Sequence, residues 1–242
     1  MTPILKLDRL QKAFGAVIVA DELSLELEDG EALGIIGPNG AGKTTMFNLI
    51  TGTLPPDAGS ISFQGADVTK HSAAARSRAG IARSFQVPQP FSGMTVFENA
   101  MVAATQAAGL SGRAAEQLSL KVLEQTALIE KANQTAGSLT LLDRKRLELT
   151  RALCTKPKLL LLDEIAGGLT ENECQSLIAT IKDVHASGVS IVWIEHVVHA
   201  LLEVASRLIV LDFGQKIAEG EPQAIMASPE VQEIYLGIAV DA

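Results

Sequence analysis

Ala32-Leu33-Gly34-Ile35-Ile36-Gly37-Pro38-Asn39-Gly40-Ala41-Gly42-Lys43-Thr44-Thr45 joins three textures in one short segment. Ala32–Ile36 is an apolar run of the length expected for a buried strand. Glycines crowd the next six positions, and a helix is predicted from about Lys43 to Thr51, stopping at Gly52. Upstream, Ile4–Leu7 and Leu23–Leu27 alternate with the period of half-buried strands, and Asp29-Gly30 marks a turn. Downstream, Pro55–Gly59 reads as a loop and Ser60–Phe63 as a short strand closed by Gln64-Gly65. From Val96 to Leu153 alanine, leucine, glutamate and lysine recur at helical spacing, predicting at least three helices with breaks near Gly109–Gly112 and Ala136–Ser138. After Pro157 the strand texture returns. Leu159–Leu162 and Ser190–Ile194 read as interior parallel strands separated by a helix over Glu171–Ala186, the order of a parallel α/β sheet. Leu208–Leu211 and Gln215–Ala218 form a last strand pair around Phe213-Gly214.

Composition sets the outer limits. A chain of 242 residues with 47% hydrophobic content suits one large domain, or one domain with an inserted subdomain. A net charge of −8 and a pI near 5.1 lower the expectation of a nucleic-acid partner. Cys154 and Cys174 belong to no C-x-x-C pair and read as small buried thiols in a reducing compartment, with no metal role. The start, Met1–Lys6, has no signal-peptide pattern, and no run of 18 apolar residues occurs. The expectation is a soluble cytoplasmic protein that reaches a membrane only by docking.

The spacing Gly37-x-x-x-x-Gly42-Lys43-Thr44 is the Walker A pattern. Glycines let backbone N–H groups turn inward around phosphate oxygens, and the helix that follows adds the positive end of its dipole. Lys43 would reach the β- and γ-phosphates of a nucleotide, and the Thr44 hydroxyl would ligate Mg²⁺. Leu159-Leu160-Leu161-Leu162-Asp163-Glu164 is an aliphatic strand ending in two acids. Such a strand places its carboxylates at the carboxyl edge of the sheet, where ligands bind in open α/β folds. Asp163 would hold Mg²⁺ through water, and Glu164 would orient or deprotonate an attacking water.

Together these residues resemble an ABC ATPase over nearly the whole chain. The resemblance implies one ATPase domain across residues 1–242 with a P-loop NTPase (RecA-like) core, an N-terminal antiparallel β subdomain, and a helical subdomain inserted at about 92–154. Asp163-Glu164-Ile165-Ala166-Gly167-Gly168-Leu169 looks like Walker B followed by the D-loop. Gln86, in Ile81–Gln86, stands at the Q-loop glutamine, which also touches the metal; His196 matches the switch histidine and Phe14 the aromatic that stacks on adenine. Within the loop the resemblance assigns nucleotide contacts to Gly37, Asn39, Gly40, Ala41, Gly42, Lys43, Thr44 and Thr45. The implied ligands are ATP and Mg²⁺. The implied partners are transmembrane permease subunits, a second ATP-binding subunit (homo- or heterodimer) and, indirectly, a periplasmic or extracellular solute-binding protein, on the cytoplasmic face of the plasma membrane. The closest likeness is to the ATP-binding subunits of branched-chain amino acid importers. It is carried by Ala82–Gln86 with Phe91–Asn99, by Ile194-Glu195-His196, and by Ala218–Pro222 leading to Glu233–Gly237. Amide or urea importers and lipopolysaccharide-export ATPases share parts of these stretches. A soluble ABC ATPase acting on nucleic acid is disfavoured by the single Walker A and the lack of sustained heptads.

The sequence also departs from the family. Where its signature normally reads Leu-Ser-Gly-Gly-Gln and contacts a partner's ATP, this chain has Leu139-Thr140-Leu141-Leu142-Asp143. Thr140 keeps a hydroxyl for a γ-phosphate oxygen, but Leu141 and Leu142 resist the positive φ and close approach that glycine permits. Thr170 stands in place of an aspartate ending the D-loop, and Ile165 in place of a proline. The expectation is an asymmetric pair, with this chain's Walker A, Asp163 and Glu164 facing a regular signature on a second subunit. Val87–Phe91, apolar and rigid, is expected to line a groove for a helix of the membrane subunit.

Overall fold

The computed structural model describes residues 2–236. In chain order it begins with β1 (Leu5–Phe14), β2 (Val17–Leu27), β3 (Ala32–Ile36), α1 (Lys43–Thr51), β4 (Ala58–Phe63), β5 (Ala66–Asp67), α2 (Ala73–Ala79) and β6 (Ile81–Arg83). Then follow α3 (Val96–Gln106), α4 (Gly112–Gln125), α5 (Leu141–Leu153), β7 (Leu159–Asp163), α6 (Glu171–Ala186) and β8 (Ser190–Ile194). Last come α7 (Val198–Val204), β9 (Arg207–Asp212), β10 (Gln215–Gly220), α8 (Pro222–Ala227) and α9 (Pro229–Leu236). The elements fall into two compact units, Met1–Ala73 with Ser190–Ala242, and Ala74–Val189.

The first unit contains two kinds of sheet. An antiparallel sheet runs β2-β1-β4-β5, with Leu5, Leu7 and Leu10 opposite Leu27, Leu25 and Leu23. These leucines are all buried, so the period-two pattern becomes one apolar face. The parallel strands β8 and β9 flank β3 on its two sides, and β10 extends the order antiparallel to β9. Every residue of β3 and β8 is buried, as near-continuous apolar runs demand of strands covered on both faces.

The second unit pairs β6 with β7 in parallel, Ile81 level with Leu159 and Arg83 level with Leu161. Its helices α3, α4 and α5 meet through small and branched side chains; Ala100, Ala104, Ala115, Leu123, Leu147 and Leu149 are buried. Thr95 and Glu98 close a capping box at the start of α3, and Thr170 and Glu173 do the same for α6. Burial pushes the Cys154 thiol up to about 12, which leaves it a packing group with no nucleophilic character at neutral pH.

The helices over Lys43–Thr51 and Glu171–Ala186 have the bounds the sequence predicts. Other edges differ. β1 continues to Phe14, and β4 begins at Ala58, inside the predicted loop. The three-residue β6 and helices α2, α7, α8 and α9 had no sequence counterpart. Short elements carry too few periods to register as a pattern. The break at Ala136–Ser138 is a 3₁₀ turn. Of the stretch Glu233–Gly237, Gly237 lies outside the described residues.

Candidate functional site

In the first unit the loop 37–42 connects the buried strand β3 to α1. Gly37, Gly40 and Gly42 adopt φ of 153°, 86° and 99°. A Cβ on Gly37 would sit 2.1 Å from the Leu211 carbonyl oxygen, and one on Gly42 would sit 2.4 Å from that of Val19. Glycine is therefore required at both positions for conformation and for space. Gly42 is also the N-cap of α1 and brings no side chain to it, so the helix presents an uncapped, anion-attracting end. Lys43 is buried and folds back across the loop, its Nζ donating to the carbonyls of Gly37 at 2.6 Å and Pro38 at 2.9 Å. Asn39, Gly40 and Thr44 are exposed, Thr45 is half-buried and Ala41 is buried. The Gly214 N–H donates to the Ala41 carbonyl, and the Asp21 N–H donates to Gly214, so β2 and the β9–β10 turn brace the loop.

Phe14 ends β1 with 53% of its surface exposed, and the Lys12 ammonium lies 5.8 Å from its ring centroid. A hydrogen bond from Lys12 and one from the Ala13 N–H hold the Asp57 carboxyl below its ordinary range, which ties Lys12 in place beside that ring. His196 is exposed just after β8. Its backbone N–H donates to Oε1 of the buried Glu195 at 3.0 Å, so the turn that presents the imidazole is fixed by its neighbour.

In the second unit Asp163 is the buried last residue of β7, and Glu164 follows it at φ 47°. That left-handed conformation is costly for a non-glycine residue and aims the side chain away from the strand line. Gln86 Nε2 donates to Glu164 Oε2 at 2.5 Å, and Lys145 Nζ donates to the Glu164 carbonyl at 3.4 Å. Arg83 Nη2 donates to Asp163 Oδ2 at 2.5 Å. The second unit thus brings Gln86 against Glu164, the residue that follows Asp163. It adds Arg83 and the buried Lys145, which the sequence reading left without a role. Arg83 stood in a quoted segment; the missing signal was that a charge ending a buried strand needs a partner.

The altered signature takes a form the sequence reading did not anticipate. Thr140 is the N-cap of α5, and Leu141 and Leu142 open the helix without positive φ. Both leucines take the ordinary backbone of a helix's first turn, so the positive φ that leucine resists is not called for here. The Thr140 hydroxyl donates to Asp143 Oδ2 at 2.7 Å and accepts the Asp143 N–H at 3.3 Å, while Lys131 pairs with the same carboxylate at 2.5 Å. The hydroxyl expected to meet a γ-phosphate is committed within its own turn.

Taken unit by unit, the Thr44 hydroxyl and the buried Asp163 carboxylate are each hard oxygen donors of the kind magnesium takes. Among the described residues no cluster of three or more His, Cys, Asp or Glu side chains forms a metal cage.

Both sets of residues speak of phosphate chemistry, and the class they define is the P-loop nucleoside triphosphatase. A family model described as ABC transporter matches residues 20–167, and one described as branched-chain amino acid ATP-binding cassette transporter matches residues 215–241. The chain belongs to the ABC transporter family, as an ATP-binding cassette. It is 34% identical to the high-affinity branched-chain amino acid transport ATP-binding protein BraF of Pseudomonas aeruginosa, over 98% of this chain and 99% of that one. It is 35% identical to LivG of Escherichia coli K12, of the same description and coverage. Among solved structures, a nucleotide-free ATP-binding cassette from an ABC transporter is 31% identical with a TM-score of 0.89, covering 98% of this chain and 100% of the other. A cassette in its ADP conformation is 32% identical with a TM-score of 0.88 over the same shares. Among the described residues no helix is long and apolar enough to cross a membrane.

Proposed function

We propose that this chain is the ATP-hydrolysing engine of an importer for branched-chain amino acids, acting peripherally at the cytoplasmic face of the plasma membrane. The observation that carries the reading is the bond from Gln86 to Glu164. It ties the residue that abuts the expected membrane-docking segment to the residue expected to activate water. The relatives' names supply the substrate class.

In this reading the N–H groups of Gly37, Asn39, Gly40, Ala41 and Gly42, the Lys43 ammonium and Thr45 bind the phosphates of ATP, and Phe14 stacks on adenine. Thr44, Asp163 and Gln86 would hold Mg²⁺, which when bound would neutralise phosphate charge. Glu164 accepts a proton from water as the water oxygen bonds to the γ-phosphorus and the bond to the β–γ bridging oxygen breaks, leaving ADP and phosphate. His196 donates to the γ-phosphate from its turn after β8. A helical subdomain over about 92–154 carries Thr140, Leu141 and Leu142 toward the ATP of a second ATP-binding subunit.

Val87–Phe91 fits the docking role. Arg151 donates to the Gln89 carbonyl and stacks 5.1 Å from the Phe91 ring centroid, and Glu148 accepts the Gln89 N–H. A groove of about 420 Å³ lined by Pro88, Gln89, Pro90, Ser92, Gly137 and Arg144 lies alongside. A permease helix seated there would feel any movement of Gln86. The test is reconstitution with candidate permeases and a solute-binding protein in vesicles loaded with ATP. Leucine uptake that disappears with Glu164→Gln while the complex still assembles supports the proposal. Uptake of another solute, with leucine ignored, would refute the substrate class.

A further inference from the structure

Nucleotide hydrolysis by itself asks for no arginine on the magnesium carboxylate, yet the fold builds one there. β6 and β7 are parallel with Arg83 level with Leu161, so the period of two puts Arg83, Leu161 and Asp163 on one face of the pair. The two charged side chains retain 6% and 4% of their exposure and meet at 2.5 Å. A charged pair this dry depends on the contact between its partners, and removing either one is costly. The Arg83 guanidinium also lies 5.1 Å from the ring centroid of Phe85, a side chain with 49% of its surface exposed. It therefore has a second seat next to the first, weaker than the ion pair but suited to a planar cation.

We propose that Arg83 is the resident counter-cation of Asp163. In the metal-free chain it pairs with the carboxylate and holds it in place. When hydrated magnesium arrives with a nucleotide, Arg83 yields Oδ2 and is retained by the Phe85 ring. Exchange of one cation for another makes bare metal a poor ligand, since a free ion must displace a desolvated guanidinium without help from phosphate oxygens. The metal site is thereby coupled to the nucleotide. This inference rests on the reading of Asp163 as the magnesium carboxylate.

The test compares thermal melts of the whole chain and of Arg83→Met and Arg83→Lys, each with ADP plus a chelator and with ADP plus MgCl₂. Without metal, Arg83→Met is expected to melt below the wild type, because a buried carboxylate has lost its partner. Magnesium then has no competitor, so the rise it adds to the ADP melt should be at least about twofold larger in Arg83→Met than in the wild type. Arg83→Lys, which keeps the charge, should behave like the wild type. A magnesium-dependent rise in Arg83→Met equal to or smaller than that of the wild type overturns the exchange. If Arg83→Met does not fold, the ¹⁵N signals of the Arg83 guanidinium in the wild type decide. They should be slowly exchanging with ADP and chelator and should move on adding magnesium; unchanged signals overturn the proposal. Magnesium that adds nothing to the ADP melt of any of the three proteins would instead remove the metal role of Asp163 itself.

Discussion

Glu164 pays for its position with an unfavourable backbone. At φ 47° an L-residue gives up about 1–2 kcal/mol relative to the right-handed region, a penalty glycine escapes. Glu164→Gly is therefore expected to be more stable than Glu164→Ala by about 1 kcal/mol, the reverse of the usual order, as read from denaturation midpoints. Both variants lose the carboxylate, so both should retain ATP binding while turnover falls by about 10²-fold or more. An alanine variant as stable as the glycine one would show that the strain is relieved elsewhere. Contiguous spelling makes Gly37 to Thr44 and Asp163-Glu164 legible as motifs, whereas Gln86, His196 and Phe14 enter only through the family resemblance. What it withheld is pairing. Arg83 and Asp163 are 80 positions apart and Gln86 and Glu164 are 78, and only the parallel register of β6 with β7 sets them side by side.

At the scale of elements, helix starts carry the testable chemistry. In both capping boxes the glutamate is held below its ordinary range, first by the threonine's backbone N–H and then by its hydroxyl. A carboxylate depressed in the folded state stabilises it above the unfolded value, about 4.3 for glutamate, and that contribution is lost as pH falls through the folded value. Carbon NMR titration should place the Glu98 and Glu173 midpoints below about 4.3. Glu98→Gln should remove the acid-dependent loosening of the α3 start seen by amide exchange, and an ordinary midpoint for Glu98 would refute the box. Thr140→Ala should cost about 1 kcal/mol through loss of the α5 cap, measured by urea unfolding. α1 and α6 were legible to the residue because Gly42, Gly52 and Thr170 are strong boundary signals. α5 was legible as a helix but its closed start was not, because the Thr140–Asp143 turn rests on a hydroxyl–carboxylate bond that no apolar period marks.

At the scale of the whole molecule, the proposed pair of subunits should be chemically unequal. ATP held by this chain's loop would draw on its own Lys43, Asp163 and Glu164 and on the partner's signature. ATP held by the partner's loop would face Thr140, Leu141 and Leu142. The Thr140 hydroxyl is engaged twice by Asp143, and Lys131 braces that carboxylate, so greeting a γ-phosphate would require breaking a closed turn. With a second ATP-binding subunit that carries a regular signature, Glu164→Gln in this chain alone should therefore lower turnover by about 10²-fold or more. The matching change in the partner alone should lower it by no more than about threefold, since the site it disables contributes little. Single-turnover measurements on the purified pair separate the two cases. Equal losses from the two single variants would mean that Leu139–Asp143 opens and serves its site as well as a glycine signature does. The self-capped start of α5 would then be a resting form that the partner's ATP undoes.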